Sequence, residues 1–226
     1  MNINAIEIKK EFVRETKNTN VFTAVRTCSL MLSAGEVTVI RGRSGGGKTT
    51  LLNMMAGILP PTEGKVLYDG KDIYAMSDEE LSVFRNHNIG YVPQGKSAIS
   101  SLTVRENILL PLTLFGESDE AEAVRLMEQF DIAHLRNAMP EELSGGELRR
   151  MAIARALIRK PGVLFADEPT GDLDDENTRL VFAKIRSAAE EGAAVLVITH
   201  EGEAGGYADH MYRMDGGVLE SWSPLH

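Results

Sequence analysis

Runs of Val, Ile and Leu alternate along the chain with longer stretches whose apolar residues recur every three to four positions. That is the pattern of an α/β fold with a largely parallel sheet. Three runs matter most: residues 37–40 (VTVI), 163–166 (VLFA) and 194–198 (AVLVI). They are short, continuous and rich in β-branched residues, as strands buried on both faces are. Each ends on a polar or glycine-containing stretch, and ligands of open α/β sheets bind outside the carboxyl ends of the strands. The three ends therefore predict one shared site. Helical periodicity predicts helices over 49–56, 118–130, 147–159 and 174–191, with Gly192 placed to close the last. Ser77-Asp-Glu-Glu80 reads as a capping box before a short helix reaching Arg85. Residues 95–160 show helical patterns and no convincing strand, and predict a helical insert in the α/β core.

A chain of 226 residues buries enough apolar surface to fold as one large domain, or one domain with an inserted subdomain, without disulfides or metals. Its single cysteine, Cys28, excludes a disulfide scaffold. Together with an amino terminus that lacks the apolar core of a secretory signal, it points to the cytoplasm. No apolar stretch approaches the roughly 18 residues of a membrane span, so a membrane is met only through a partner. The formal net charge of −9 gives no general attraction for nucleic acid or anionic lipid. A polyanion must be held locally.

The strongest motif does that. Gly42-Arg43-Ser44-Gly45-Gly46-Gly47-Lys48-Thr49, running on into Thr50, fits GxxxxGK[ST] between the first strand and a helix. Its glycines let successive N–H groups point inward, and the helix amino terminus adds partial positive charge. Lys48 reaches the β and γ phosphates of a nucleotide and the Thr49 hydroxyl holds Mg²⁺. The second strand delivers Asp167 and Glu168, which on their own are no more than an acidic turn after a strand. Beside a phosphate loop, Asp167 holds Mg²⁺ and Glu168 orients or deprotonates the attacking water. The third strand delivers His200, placed to hydrogen-bond the γ-phosphate.

A second anion cradle lies at Leu143-Ser144-Gly145-Gly146-Glu147, where a hydroxyl, bare N–H groups and a helix dipole coincide. Ser144 and Glu147 are also spaced as a capping box, so a plain helix cap explains the same residues. The cations along the following helix, Arg149, Arg150, Arg155, Arg159 and Lys160, read as a solvated, dipole-complementing face. His87, His134 and His210 read as structural, Met54 and Met55 as core, and Trp222 as cover for an edge.

Taken together, these motifs resemble the nucleotide-binding ATPase of ABC transporters. The phosphate loop matches its Walker A, LSGGE its signature, VLFADE its Walker B, residues 171–174 (GDLD) its D-loop with Asp172, and His200 its switch histidine. Gln94, in IGYVPQ, matches the Q-loop residue that senses Mg²⁺. The stretches MSDEEL at 76–81 and LTVRENI at 102–108 are similar to the MacB/LolD/FtsE branch. Departures are Glu147 where Gln is usual and Glu201 where Asp usually follows the switch histidine.

The resemblance implies a P-loop, RecA-like core with an antiparallel β portion at the amino end. The single domain spans 1–226, with 1–94 and 161–226 as the ATP-binding core and 95–160 as the helical signature subdomain. It also implies a homodimer in which ATP on one Walker A is covered by Ser144, Gly145, Gly146 and Glu147 of the other copy. Phe12 is the candidate to stack on adenine and Phe22 the fallback; a phenylalanine on a strand surface with no ligand role reads the same way. The function implied is ATP hydrolysis powering an integral membrane permease subunit from the inner face of the cell membrane. The competing reading is a soluble ABC-type ATPase that acts without one.

Overall fold

The computed structural model describes residues 1–14, 20–171 and 173–222. Two sheets share the work. The larger is built on β3 (Val37–Arg41), β7 (Val163–Asp167) and β8 (Ala194–Thr199), the three strands expected from the sequence. With β6 (Ile89–Val92), β9 (His210–Asp215) and β10 (Val218–Ser221) they run in the order β10-β9-β3-β8-β7-β6. Every pairing is parallel except the β9–β10 hairpin. The smaller sheet is antiparallel and ordered β2-β1-β4-β5, from β1 (Ile3–Arg14), β2 (Asn20–Leu32), β4 (Glu63–Tyr68) and β5 (Lys71–Asp72). The α/β class and the antiparallel portion at the amino end are both present.

Strand periodicity explains how the layers assemble. Along β7, Val163 and Phe165 face one core while Leu164 and Ala166 face another; β8 divides its residues in the same way. The first core receives α1 (Lys48–Met55) through Leu51, Leu52, Met54 and Met55, together with Ile3, Ile8 and Val66 of the small sheet. The second receives α3 (Val104–Thr113), α4 (Glu120–Gln129), α5 (Gly145–Leu157) and α6 (Asp175–Glu190). Burial on both faces is what the unbroken apolar runs demand.

The helices begin where their caps are. Ser77 with Glu80 starts α2 (Asp78–Asn88), and Ser144 with Glu147 starts α5, both as complete capping boxes. Asp174 caps α6, and Gly192, at φ +105°, closes it with its N–H on Ala189 O at 2.7 Å. Helix α2 runs three residues past the Arg85 expected from the sequence, and the helix expected over 118–130 begins after Asp119.

Helix α3 was not expected as a helix. Pro111 interrupts its pattern, lacking the N–H that would bond back one turn. The missed signal is a third capping box, in which Thr103 N–H donates to Glu106 Oε2 at 2.8 Å and Glu106 N–H to Thr103 Oγ1 at 3.3 Å.

The four arginines of the cationic stripe along and just past α5 are not solvated, which corrects the sequence reading, whereas Lys160 is exposed as expected. Arg149 and Arg150 are buried. Arg155 donates to Ser97 O at 2.9 Å and Ser97 Oγ at 2.7 Å, and Arg159 to Pro111 O at 3.2 Å and both carboxylate oxygens of Glu117. These guanidiniums bolt α5 and the turn after it to the loop after β6 and to α3. Charged residues that bind backbone and charged residues that face water have the same spacing, so the sequence does not separate them.

Candidate functional site

Strands β3, β7 and β8 lie side by side and end at the same edge, so whatever follows each of them meets there. A cavity of about 900 Å³ opens at that edge. It is lined by the whole of residues 42–50, by Gln94, Asp167, Glu168 and His200, and by Phe12 and Phe22.

The phosphate loop fits its neighbours only as glycine at the critical points. A Cβ on Gly42 would lie 1.9 Å from Met214 O, inside any permissible contact. Gly47 caps α1 at φ +98°, and a Cβ there would lie 2.2 Å from Ala24 O. No side chain caps the first turn of α1, whose N–H groups face the loop. Lys48 is 7% exposed, and its ammonium donates to Gly42 O at 2.8 Å and Arg43 O at 3.0 Å. The positive charge is thus held inside the loop by two carbonyls, at the place where a phosphate chain would lie across it.

Beside it, the Thr49 hydroxyl donates to Asp167 Oδ2 at 2.7 Å. Burial pushes the Asp167 carboxyl up from the usual carboxylate range, against the bond from Thr49. An acid whose folded value is raised contributes stability that is complete below its unfolded value and lost as pH rises through the folded one. Ionising Asp167 therefore costs stability. Asp167→Asn keeps the acceptor and removes the charge, so in EDTA and without nucleotide it should melt no lower than the parent at pH 7. Its advantage should shrink as pH falls, while its ATPase activity is lost. A melting temperature several degrees below the parent at pH 7 would contradict this.

Glu168 follows directly, with its side chain 12% exposed. Its Oε2 lies 2.9 Å from His200 Nδ1 and accepts the His200 backbone N–H at 3.3 Å. Arg41, the last residue of β3, donates to His200 O at 3.0 Å, and the Trp222 ring lies over that guanidinium at 5.1 Å. Glu201, the departure after the histidine, accepts the Thr170 hydroxyl at 2.6 Å. The acid, the histidine and the ends of three strands are therefore one connected set.

Phe12 and Phe22 are direct cross-strand partners in β1 and β2, so they share a face of the small sheet. Both are substantially exposed at the cavity mouth, and the Lys10 ammonium lies 5.4 Å from the Phe12 ring centroid. Gly145 lines the same cavity; Ser144, Gly146 and Glu147 do not. Within one chain, Ser144 Oγ bonds to the Glu147 carboxylate at 2.7 Å and the Glu147 N–H at 3.3 Å. That pairing holds the Glu147 carboxyl below the usual range. Asp172 lies outside the described residues.

Residues 25–171 match the family model of the ABC transporter, more than half of the chain. The chain belongs to the ABC transporter family. The lipoprotein-releasing system ATP-binding protein LolD of Bdellovibrio bacteriovorus is 38% identical over 221 residues, covering 96% of this chain and 99% of that protein. The ABC transporter ATP-binding protein YtrE of Bacillus subtilis is 35% identical over 89% of both chains. Among solved structures, the cassette MJ0796 in its dimeric form matches with a TM-score of 0.89 at 29% identity, covering 99% of this chain and 100% of that one. A post-hydrolysis dimer of MJ0796 bound to ADP and Pi matches with a TM-score of 0.88 at 28% identity. As a member of this family the chain is an ATP-binding ATPase that powers a membrane partner. Among its described residues no helix is long and apolar enough to cross a membrane.

Sequence reasoning missed Arg41 and Arg149, which hold the backbone of His200 and of Glu168. Arg41 is recognisable only once β3 and β8 are known to be neighbours. By spacing alone, Arg149 looked like one more cation of a solvent-facing stripe.

Proposed function

We propose that this chain is the motor subunit of a LolD/MacB-type transporter, in which two copies close head to tail on ATP and drive a separate integral membrane subunit. The cargo process is export, lipoprotein release or transmembrane force transmission. The chain acts from the inner face of the membrane, which it reaches through that partner. One ATPase domain spans 1–226, with residues 95–160 as its helical signature subdomain. The observation that carries the reading is the convergence of the phosphate loop, Asp167, Glu168 and His200 at the ends of three adjacent parallel strands. Likeness to LolD over nearly the full length supports the branch.

Lys48 binds the β and γ phosphates, exchanging its two carbonyl acceptors for phosphate oxygens. Thr49, Asp167 and Gln94 offer a hydroxyl, a carboxylate and an amide, a hard oxygen set that fits Mg²⁺ sharing its remaining positions with phosphate and water. Held by these residues, Mg²⁺ would supply neutralisation of charge on the phosphate oxygens. Glu168 polarises the attacking water, and His200 fixes its carboxylate and reaches the γ-phosphate. Ser144, Gly145, Gly146 and Glu147 of one copy, with Asp172 in the adjoining D-loop, close over the nucleotide of the other, so hydrolysis loosens the pair.

Phe12 carries the adenine, with Phe22 beside it. Phe12→Ala should weaken ATP binding by about fivefold or more, as loss of one base-stacking ring does, and by more than Phe22→Ala. Calorimetric titration checks this, and the reverse order would move the platform to Phe22. The function itself is tested by purifying the Glu168→Gln protein from native membranes in ATP and Mg²⁺. A stoichiometric integral membrane partner is expected; a dimer without one would favour an ATPase that works away from the membrane.

A further inference from the structure

Arg149 lies one turn into α5, just past the Ser144-Gly145-Gly146 cradle, and is 7% exposed. Its guanidinium is divided between two other parts of the fold. Nη1 donates to Pro93 O at 2.7 Å, the residue before Gln94, and Nη2 donates to Glu168 O. The planar fork of arginine spans two carbonyls at fixed separation; a lysine ammonium reaches them only as a point charge on a flexible stem. One side chain therefore joins the start of the signature helix to the Q-loop backbone and to the residue after Walker B.

Glu168 is unusual in its own right. Its φ is +47°, in the left-handed region that residues bearing a Cβ avoid. Neighbours on both sides hold it there. Its N–H donates to Ile198 O in β8 at 2.8 Å, while its carbonyl accepts from Arg149 and from the Gly171 N–H at 3.3 Å. The amide side of Glu168 is thus fixed to the core sheet and the carbonyl side to α5. With its amide and its carbonyl both held, the direction of the Glu168 Cα–Cβ bond is held too, and with it the root of the carboxylate side chain.

We propose that Arg149 is a positioning residue that ties the start of α5 to the backbone of Glu168, so that its hold on the Glu168 carbonyl sets the aim of the Glu168 carboxylate. The inference rests on the reading of Glu168 as the group that polarises water. It adds a physical link, within one chain, between the surface that meets the second copy and the chemistry at its own phosphate loop.

Arg149→Ala and Arg149→Lys, each alone and combined with Glu168→Gln, test it by steady-state ATPase with Mg²⁺, nucleotide titration and thermal unfolding of the full chain. Arg149→Ala should lower kcat about tenfold with KM for ATP within about twofold, the signature of an interaction felt at the chemical step. Arg149→Lys should recover part of the loss. In the Glu168→Gln background, removing Arg149 should cost less than about twofold more, because it acts through Glu168. If Arg149→Ala does not fold, Arg149→Lys decides by the same readouts, since it retains the charge and a donor. Unchanged kcat, a loss carried by KM, or a loss that multiplies fully with that of Glu168→Gln would each overturn the proposal. Failure of the underlying reading shows separately, as wild-type turnover in Glu168→Gln alone.

Discussion

Glu168→Gln should bind ATP about as tightly as the parent and hydrolyse it about 100- to 10,000-fold more slowly, the range for loss of a positioned general base. The side chain is nearly enclosed and its partner His200 Nδ1 lies 2.9 Å away, so an amide of the same shape leaves the packing in place. What it removes is the ability to draw a proton from water. The surrounding phosphate loop, the Thr49–Asp167 pair and Lys48 are untouched. Phosphate release and nucleotide titration, run on the same preparation, check the two halves of the statement. Turnover within threefold of the parent would mean that another group activates the water.

Lys48→Ala should have the opposite profile, with loss of binding rather than of chemistry. The ammonium is the one buried lysine charge among the described residues, enclosed by the loop and donating to Gly42 O and Arg43 O. Truncation leaves both carbonyls without that donor and leaves an acidic protein without its enclosed cation for the phosphate chain. ATP affinity should fall at least about 100-fold, the scale of losing a charge-assisted contact in an enclosed site. Calorimetry on the nucleotide-free protein measures it directly. An affinity within a few fold of the parent would place the phosphates elsewhere.

Much of this site was legible because phosphate binding imposes a local sequence. A loop that passes within contact distance of another backbone at Gly42, and does so again while turning at positive φ at Gly47, needs glycine at both, and those positions announce themselves. Doubly buried strands announce themselves too, as the unbroken apolar runs at β3, β7 and β8 show. Capping boxes marked the starts of α2 and α5, and the same signal at Thr103 and Glu106 would have marked α3 had Pro111 not broken its periodicity.

Other features depend on tertiary neighbours and leave no local trace. The four residues of β6 are too short a run to stand out as a strand until they are paired with β7. Arg149, Arg155 and Arg159 bind carbonyls far away in sequence, and nothing in their spacing separates them from solvent-facing cations. Phe12 and Phe22 become neighbours only through the β1–β2 register, which shifts at three points along the pair. Among the described residues the Ser144 hydroxyl is engaged with Glu147, and the closure over a second copy's nucleotide proposed for this cradle leaves no trace in the spacing of one chain.

The most direct measurement is the mass of the Glu168→Gln protein by light scattering in saturating ATP with Mg²⁺, repeated after EDTA. The chain has a mass of 24.7 kDa. A particle of twice that mass with ATP and Mg²⁺, returning to the single-chain mass in EDTA, is the predicted result. A single-chain mass under both conditions, with nucleotide shown to be bound, would contradict closure of two copies over ATP.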